Sequence, residues 1–557
     1  MKESTPLPQQ DDHQYNATGA ISAHVDTFAR DNLPPRRLWP VMDFESIPGL
    51  AYPARLNAAV ELLDRAVDEG HGDRTAIHFP GGRWSYRDLL EQSNRIAHVL
   101  VDDLSVVSGN RVMLRGPNNP MMAACWFAVL KAGAINVCTM PLLRSRELCV
   151  IAEKARVRLA LTDARFADEC EQAASSVTML ERVVRFGDGA SQSLETLMRD
   201  KPATFASVDT SADDVAIIAF TSGTTGDPKG TMHVQRDLLA VCDTFSALVV
   251  RPERDDIFCG SPPLAFTFGL GGLLLFPIRA RASTLLLEQA TPAYLLKGMQ
   301  DHHATICFTA PTAYRAMTAT VSDFNLSSLR KCISAGEHLP RATFERWRDA
   351  TGIEIIDGIG STEILHVFIS ASGAEIRPGS TGKAVPGYRA RVVDENGRDV
   401  PAGSIGSLAV QGPTGCRYLD NVERQEAYVR DGWNLPGDSY LVDDEGYFWY
   451  QARTDDLIVS SGYKISGPEV ENALLDHSCV AECGVIAVPD EERGSVVKAF
   501  IVLRSGFTPG DQLVKELQDF VKARIAPYKY PRRVAFVTSL PRTDTGKLQR
   551  FRLREGE

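Results

Sequence analysis

Apolar and polar positions follow two alternating patterns along most of the chain. Between about residues 55 and 360, apolar runs of strand length alternate with stretches in which apolar residues recur at helical spacing. This alternation predicts α/β layers around largely parallel sheets.

Local signals place individual elements within this pattern. Ser85, followed three residues later by Asp88, is typical of a helix N-cap and predicts a helix to about residue 100. Residues 111–114 predict a strand, and residues 121–131 predict a helix closed by Gly133. The same pattern returns as a strand at 284–287, a helix at 293–299 and a strand at 305–309.

The pattern changes in the last third of the chain. Residues 385–450 carry short alternating strands and turn sequences, which predict a small β-rich part. A charged stretch at 453–456 precedes a segment with helices predicted at 469–475 and 511–523. We therefore expect a polar N-terminal extension (1–32), a large N-terminal domain (33–452) and a small C-terminal domain (453–557) on a charged hinge.

Composition narrows the function classes. A chain of 557 residues is long enough for two or more domains. Its formal net charge of −11 gives no electrostatic footprint for nucleic acid or an anionic membrane. The longest apolar run, near 270–278, is too short to span a bilayer, so we expect a soluble protein without a membrane partner.

The cysteines favour a reducing compartment. The chain has 11 cysteines, scattered and mostly within apolar runs, which is typical of reduced thiols in a cytoplasmic protein. Cys479 and Cys483 are closely spaced, but no second Cys/His pair lies nearby, so we expect packing there and assign no metal.

The most informative stretch follows the apolar run 215–220. It concentrates hydroxyls and glycines in a turn that precedes Lys229, and its proposed ligand groups are Thr221, Ser222, Gly223, Thr224, Thr225 and Gly226. Glycines let backbone N–H groups converge on an anion, hydroxyls add donors, and the lysine adds positive charge. Pro228 before the lysine excludes a Walker loop, so another class of nucleotide site is predicted. A flexible surface connection is the alternative for a loop of this composition.

The order of residues in this stretch, Thr-Ser-Gly-Thr-Thr-Gly-x-Pro-Lys-Gly, resembles the phosphate loop of the adenylate-forming superfamily, which includes acyl-CoA ligases, luciferases and nonribosomal adenylation domains. The resemblance runs from about residue 27 to residue 553 and is nearest to benzoate-CoA and 2-aminobenzoate-CoA ligases. It implies two α/β sheet subdomains and a small β-rich subdomain, followed by a small mobile α+β C-terminal domain.

The resemblance also implies roles around the phosphates. Residues 357–363 resemble a core motif in which Thr362 contacts the α-phosphate and Glu363 holds Mg²⁺; alternatively, Glu363 only complements a helix dipole. Residues 433–438 resemble the ribose motif, with Asp438 as the ligand, although Pro436 stands where the family commonly has threonine. Arg453 matches an arginine that reaches ribose or phosphate; a solvated charge is the alternative.

Adenine recognition maps by resemblance onto two segments, with Ile359 replacing the aromatic ring of many relatives; the residues are Gly336, Glu337, Asp357, Gly358 and Ile359. Residues 541–547 match the last core motif, in which Lys547 bridges the substrate carboxylate and the α-phosphate. One positioned ammonium offsets the repulsion of two anions that must meet. Outside that motif, a terminal lysine is usually a solvated charge.

Two further sites are implied by the resemblance. Ser461, Gly462 and Tyr463 would line the CoA tunnel. Lys547 would be in the active site for adenylation, and rotation of the C-terminal domain about a hinge at Asp455 would then bring these three residues there instead. By analogy, an acyl pocket for a flat aromatic ring is lined by Phe266, Thr267, Phe268, Ala335, Gly360 and His366, which could equally be core residues.

The resulting expectation is an ATP- and Mg²⁺-dependent ligase that joins an aromatic carboxylic acid, of 2-aminobenzoate or benzoate type, to CoA through an aroyl-AMP. Two alternatives stay open: an enzyme that loads the acid onto the phosphopantetheine of a carrier protein, and a silent protein that only binds nucleotide or aryl acid. A monomer or homodimer is expected. The sequence does not place the hydrogen bond that would select one ring substituent.

Overall fold

The computed structural model describes residues 21–44, 47, 49–222, 228–453, 456, 458–460, 463–490, 494–525, 527–542 and 548–555. Elements are numbered in chain order. The predicted α/β fold class is confirmed, because helices flank largely parallel sheets in the large lobe.

One large sheet contains the two strands that flank the predicted phosphate loop. Within the described residues it has six strands in the order β6-β5-β3-β4-β7-β8, and only the β7–β8 pair is antiparallel. Its strands are β3 (Arg111–Arg115), β4 (Ile135–Thr139), β5 (Leu159–Asp163), β6 (Arg182–Phe186), β7 (Val215–Ser222) and β8 (Pro228–Val234).

A second sheet has nine strands in the described chain, in the order β15-β14-β13-β12-β11-β9-β10-β1-β2, with a parallel centre and antiparallel edges. Its strands are β1 (Thr75–Phe79), β2 (Gly82–Ser85), β9 (Ile257–Gly260), β10 (Ser283–Leu285), β11 (Ile306–Thr309), β12 (Lys331–Ser334), β13 (Ile355–Gly360), β14 (Val367–Ser370) and β15 (Lys383–Ala384). Because β11, β12 and β13 are parallel neighbours, the segments that follow them meet at one edge of the sheet.

The predicted β-rich part is an antiparallel sheet. It consists of β16 (Arg389–Val393), β17 (Gly406–Gln411), β18 (Val429–Arg430), β19 (Trp433–Asn434), β20 (Asp438–Val442) and β21 (Phe448–Arg453). The C-terminal lobe follows, with β22 (Ile458–Ser460), β23 (Tyr463–Ile465), β24 (Val480–Asp490), β25 (Gly494–Leu503) and β26 (Arg533–Phe536).

The helices form where the sequence supplies caps and apolar faces. Ser85 and Asp88 make the predicted reciprocal capping box at the first of the long helices. The helices are α1 (Phe28–Asp31), α2 (Tyr86–His98), α3 (Pro120–Lys131), α4 (Ser145–Ala155), α5 (Ala167–Ser176), α6 (Leu194–Met198), α7 (Gln235–Val241), α8 (Thr267–Leu270), α9 (Phe276–Arg279), α10 (Pro292–Asp301), α11 (Pro311–Thr318), α12 (Arg341–Thr351), α13 (Val422–Tyr428), α14 (Gly467–Leu475), α15 (Asp511–Arg524) and α16 (Arg550–Arg554).

One continuous apolar cluster joins the two large sheets. Leu89 on α2, Trp126 on α3 and Phe308 on β11 all belong to it. The C-terminal lobe has apolar clusters of its own, including Val470, Ile501 and Leu517. A separate core is typical of a unit that can change its orientation as a body.

The end of the predicted N-terminal extension packs on the large lobe. Asp26 forms an ion pair with the buried Arg111 at 2.6 Å, and the Ala23 amide donates to Asp214 Oδ2 at 2.9 Å. The described end of the extension, residues 21–32, is therefore attached to the large lobe.

None of the described helices has both the length and the apolar character needed to cross a bilayer. All 11 cysteines lie in the described ranges as free thiols.

Candidate functional site

The antiparallel β7–β8 hairpin carries the predicted phosphate loop. Thr221 lies opposite Lys229, and Ser222 lies opposite Pro228. Because β7 runs parallel to β4, the end of β7 lies at the carboxyl edge of the sheet, where α/β proteins bind ligands. The predicted ligands Gly223, Thr224, Thr225 and Gly226 fall outside the described residues. Their assignment, like those of Thr221, Ser222 and Lys229, stays a prediction.

The segment with Thr362 and Glu363 is fixed to this hairpin. His233 on β8 donates from Nε2 to the Thr362 carbonyl oxygen at 2.7 Å. The Tyr418 hydroxyl donates to Glu363 Oε1 at 2.8 Å, and Tyr418 itself forms a backbone bridge to Thr231 of β8. Thr362 and Glu363, with their predicted phosphate and metal contacts, therefore lie beside β8, the strand that follows the predicted phosphate loop.

A buried ion pair between α7 and the segment of Tyr418 stabilises this arrangement. Arg417 Nη1 lies 2.7 Å from Asp237 Oδ2, and both side chains are fully buried. Burial by itself would raise the pKa of Asp237, but Arg417 and the neighbouring His233 outweigh burial and lower it below its ordinary range. The Met232 amide donates to the Arg417 carbonyl at 2.8 Å, so the pair also aligns its segment with β8.

Sequence reasoning missed this network and Tyr418. Asp237 and Arg417 are 180 residues apart, and Glu363 and Tyr418 are 55 apart. The only local signal was an acidic residue in the first turn of α7, which is typical of an ordinary cap.

The predicted ribose site joins two neighbouring strands. Asp438 begins β20 and lies opposite Arg453, which ends β21. Arg453 Nη1 donates to Asp438 Oδ2 and to the Pro436 carbonyl, both at 3.0 Å. Gly437 has φ +79°, and a Cβ there would lie 3.1 Å from Arg453 Nη2, so this turn favours glycine. Burial would lower the pKa of Arg453, but Asp438 outweighs it and raises it.

The two predicted adenine segments end adjacent strands. Ser334 of β12 lies opposite Asp357 of β13, and Gly336 follows with φ +90°. Glu337 accepts a hydrogen bond from Thr312 at 2.7 Å, which anchors its loop to α11. Burial raises the pKa of Asp357 to about 7, and among the described residues its Oδ1 has no hydrogen-bond partner.

The residues proposed for the acyl pocket centre on His366. Its ring is buried, and its centroid lies 4.6 Å from that of Phe276, 5.5 Å from that of Phe245 and 5.7 Å from that of Phe268. Burial lowers the pKa of His366 to about 3, so the ring is neutral. In the described structure neither ring nitrogen has a hydrogen-bond partner.

Neighbouring glycines make room for the ring and the backbone of His366. A Cβ on Gly271 would lie 2.4 Å from His366 Cδ2, and a Cβ on Gly360 would lie 2.6 Å from the His366 carbonyl oxygen. Phe266 and Thr267 are half-buried at the start of α8, and Ala335 is buried after β12. The structure thus brings Phe268, Gly360 and His366 together, while the pocket assignment stays a prediction.

Three C-terminal predictions concern residues outside the described ranges, namely the hinge at Asp455, the CoA contacts Ser461 and Gly462, and Lys547. Tyr463 lies on β23, opposite Ser460 of β22. On either side of residues 543–547, Arg542 and Leu548 form an antiparallel backbone bridge.

The described protein side chains could bind Mg²⁺ only if phosphate oxygens of the substrate completed its coordination. Among the described residues, no group of three or more His, Cys, Asp or Glu side chains could hold a metal ion. Glu363 offers a half-buried carboxylate beside the phosphate hairpin. Mg²⁺ is usually bound by one or two carboxylates plus substrate phosphates, so the residues present fit this ion.

Comparison with known families gives two matches. A model described as AMP-binding enzyme matches residues 63–418, and one described as AMP-binding enzyme C-terminal domain matches residues 469–547.

Individual relatives match over nearly their whole length. The benzoate–CoA ligase of Thauera aromatica is 35% identical over 512 residues, covering 91% of this chain and 97% of that protein. The 4-hydroxybenzoate–CoA/benzoate–CoA ligase of Rhodopseudomonas palustris is 33% identical, covering 90% of this chain and 94% of that protein. A crystal structure of the anthranilate CoA ligase AuaEII in complex with anthranoyl-AMP has 35% identity and a TM-score of 0.86, covering 91% of this chain and 98% of that one.

Proposed function

The chain belongs to the AMP-binding enzyme family, and from that premise we propose that it is an ATP-dependent aryl-CoA ligase. The membership confirms the resemblance predicted from the motifs. The observation that carries the function is the 35% identity, over nearly the full length, to a ligase crystallised with anthranoyl-AMP.

The proposed reaction has two steps. The aryl carboxylate attacks the α-phosphorus of ATP, which forms an aroyl-AMP and releases pyrophosphate. The CoA thiol then attacks the acyl carbon, loses its proton, forms the thioester and releases AMP. A thiol with a pKa of about 8.5 is only partly in the thiolate form at neutral pH. This fraction is sufficient for the reaction, because the acyl group of the adenylate is strongly activated.

The chain's own residues have distinct roles in this proposal. Lys229 and the β7–β8 turn bind the phosphates, and Asp438 binds the ribose next to Arg453. Thr362 contacts the α-phosphate, and Lys547 offsets the repulsion between carboxylate and phosphate. Glu363 would hold Mg²⁺, which neutralises phosphate charge when bound. Rotation of the C-terminal lobe about Asp455 brings Ser461, Gly462 and Tyr463 to the thiol in the second step.

Two observations support an aromatic acid. His366 and three phenyl rings form an apolar and uncharged group beside the adenine segments, which suits a flat neutral ring. The relatives from Thauera and Rhodopseudomonas are benzoate–CoA ligases. A cytoplasmic location, expected from the cysteines, stays a prediction.

A panel of acids tests the proposal. With ATP, Mg²⁺ and CoA, we expect AMP release to be fastest with 2-aminobenzoate or benzoate and slowest with short fatty acids, and mass spectrometry should detect aroyl-CoA. A preference for a medium-chain fatty acid would contradict the aryl assignment. Aroyl-AMP without thioester would favour transfer to a carrier protein.

Lys547→Ala serves as the control for chemistry. The native protein should exchange pyrophosphate into ATP in the presence of acid, and the variant should lose this exchange. Equal exchange in both would remove Lys547 from the mechanism, and no exchange in either would favour a silent binding protein.

A further inference from the structure

Helix α11 connects the adenine segment to the C-terminal lobe. Thr312 on this helix donates to Glu337 at 2.7 Å, and Arg315, three residues later, forms an ion pair with Glu482 of β24 at 3.0 Å. Residues three apart lie on the same helix face. One face of α11 therefore contacts both the predicted adenine loop and the smaller lobe.

Glu482 is shared between the two lobes. Its Oε1 faces Arg315, and its Oε2 accepts a hydrogen bond from Arg542 at 2.7 Å. Side-chain exposures are 29% for Arg315, 31% for Glu482 and 26% for Arg542, so water only partly screens these charges. Burial alone would raise the pKa of Glu482, but the two arginines outweigh it and lower it, so the carboxylate is charged.

Arg542 also forms the base of the segment that carries Lys547. It bridges to Leu548, and the Gln549 amide donates to the Pro541 carbonyl at 2.9 Å, so the backbone is paired on both sides of residues 543–547. A contact on Arg542 therefore acts on the paired backbone that flanks residues 543–547.

A second contact joins the lobes nearby. Asn472 on α14 lies 3.2 Å from Nε2 of His338, which follows Glu337 in the adenine segment. The His338 ring stacks on Tyr450 of β21, with centroids 5.3 Å apart. Burial and the nearby Arg550 lower the pKa of His338 to about 4, so this contact is made by a neutral ring.

We propose that the Arg315–Glu482–Arg542 bridge is a latch that holds the C-terminal lobe in the orientation for the first step, and that Glu482 is its positioning residue. The inference rests on the proposed function, in which Lys547 serves adenylation and the lobe turns away for thioester formation. The bridge connects Arg542, which precedes the segment with Lys547, to the helix that holds the predicted adenine segment. It stabilises one orientation and must break when the lobe rotates.

The two half-reactions separate this role from a general structural one. In Glu482→Gln and Arg315→Gln, we expect acid-dependent pyrophosphate exchange to fall about 10-fold, since charged hydrogen bonds of this kind shift equilibria by about that factor. Thioester formation from supplied benzoyl-AMP and CoA should be unchanged or faster. Glu181→Gln, which removes an exposed ion pair with Arg158, is the matched control and should alter neither step.

Equal losses in both half-reactions, or no loss in either, would overturn the latch. A second measurement needs no activity and so distinguishes failure of the latch from failure of the proposed function. Spin labels at the exposed positions Glu153 and Lys515 report the distance between the lobes. Glu482→Gln should broaden the distance distribution or add a second population, whereas the native distribution in the variant would contradict the proposal.

Discussion

At the scale of single residues, two half-buried carboxyl groups of the candidate site differ in their hydrogen bonds. Glu363 accepts a hydrogen bond from the Tyr418 hydroxyl, and it is the residue proposed to hold Mg²⁺. Asp357 is half-buried, and burial raises its pKa to about 7. Asp357 therefore carries a proton over much of the acidic range.

Replacing Glu363 by Gln should lower kcat/KM for adenylation by about 10²–10³-fold, the usual cost of removing a group that stabilises transition-state charge. The Mg²⁺ concentration that gives half-maximal pyrophosphate exchange should rise as well. Tyr418→Phe is the matched control, because it removes the hydrogen bond and keeps the carboxylate, and its loss should stay below about 10-fold. Equal losses in the two variants would argue against Glu363 as the metal ligand.

Asp357 gives a pH dependence of stability. Its folded pKa of about 7 lies above the ordinary value of 3.8, so the folded protein keeps a proton that the unfolded chain releases. The contribution of this side chain to stability is fully present at pH values below 3.8, and it is lost as the pH rises to about 7.

Asp357→Asn removes this dependence. The free energy of unfolding of the variant minus that of the native protein should increase by about 1–2 kcal/mol from pH 4.5 to pH 8. This figure is smaller than the full pKa shift implies, because the group is only half-buried. Urea unfolding at the two pH values measures the difference. A difference that is the same at both would contradict the raised pKa.

At the scale of elements, local patterns predicted the segments well. The capping box of Ser85 predicted the start of α2, and Gly133, with φ +68°, follows α3 as expected. These features depend on residues within one or two helical turns. The contacts of Tyr418 with Glu363 and of Arg417 with Asp237 join distant parts of the chain, so no local pattern could predict them.

The buried Asp237–Arg417 pair should be important for stability. Asp237→Asn leaves the Arg417 guanidinium buried without its counter-ion, and we expect a loss of about 3–5 kcal/mol in the free energy of unfolding. The double variant Asp237→Leu with Arg417→Met should lose less than the single variant, because neither charge remains buried. Urea unfolding measures both. A loss below about 1 kcal/mol in Asp237→Asn would show that the pair is not what holds the segment to β8.

At the scale of the whole molecule, the two lobes meet beside the predicted adenine segment. The large lobe carries the residues proposed for phosphate, metal and ribose binding, and the small lobe contacts it through Glu482 and Asn472. The sequence could predict a small C-terminal unit, because a charged stretch at 453–456 separates the short strands from a segment with helices of its own. It could not predict how that unit docks, because ion pairs between lobes leave no periodic pattern along the chain.

The measurement that tests the central claim most directly is the transfer of oxygen from the acid to AMP. The native protein is incubated with ATP, Mg²⁺, CoA and benzoate labelled with ¹⁸O in both carboxylate positions. If the carboxylate attacks the α-phosphorus, the AMP released should carry one ¹⁸O atom and the pyrophosphate none. Unlabelled AMP, or label in inorganic phosphate with ADP as the product, would contradict activation through an aroyl-AMP.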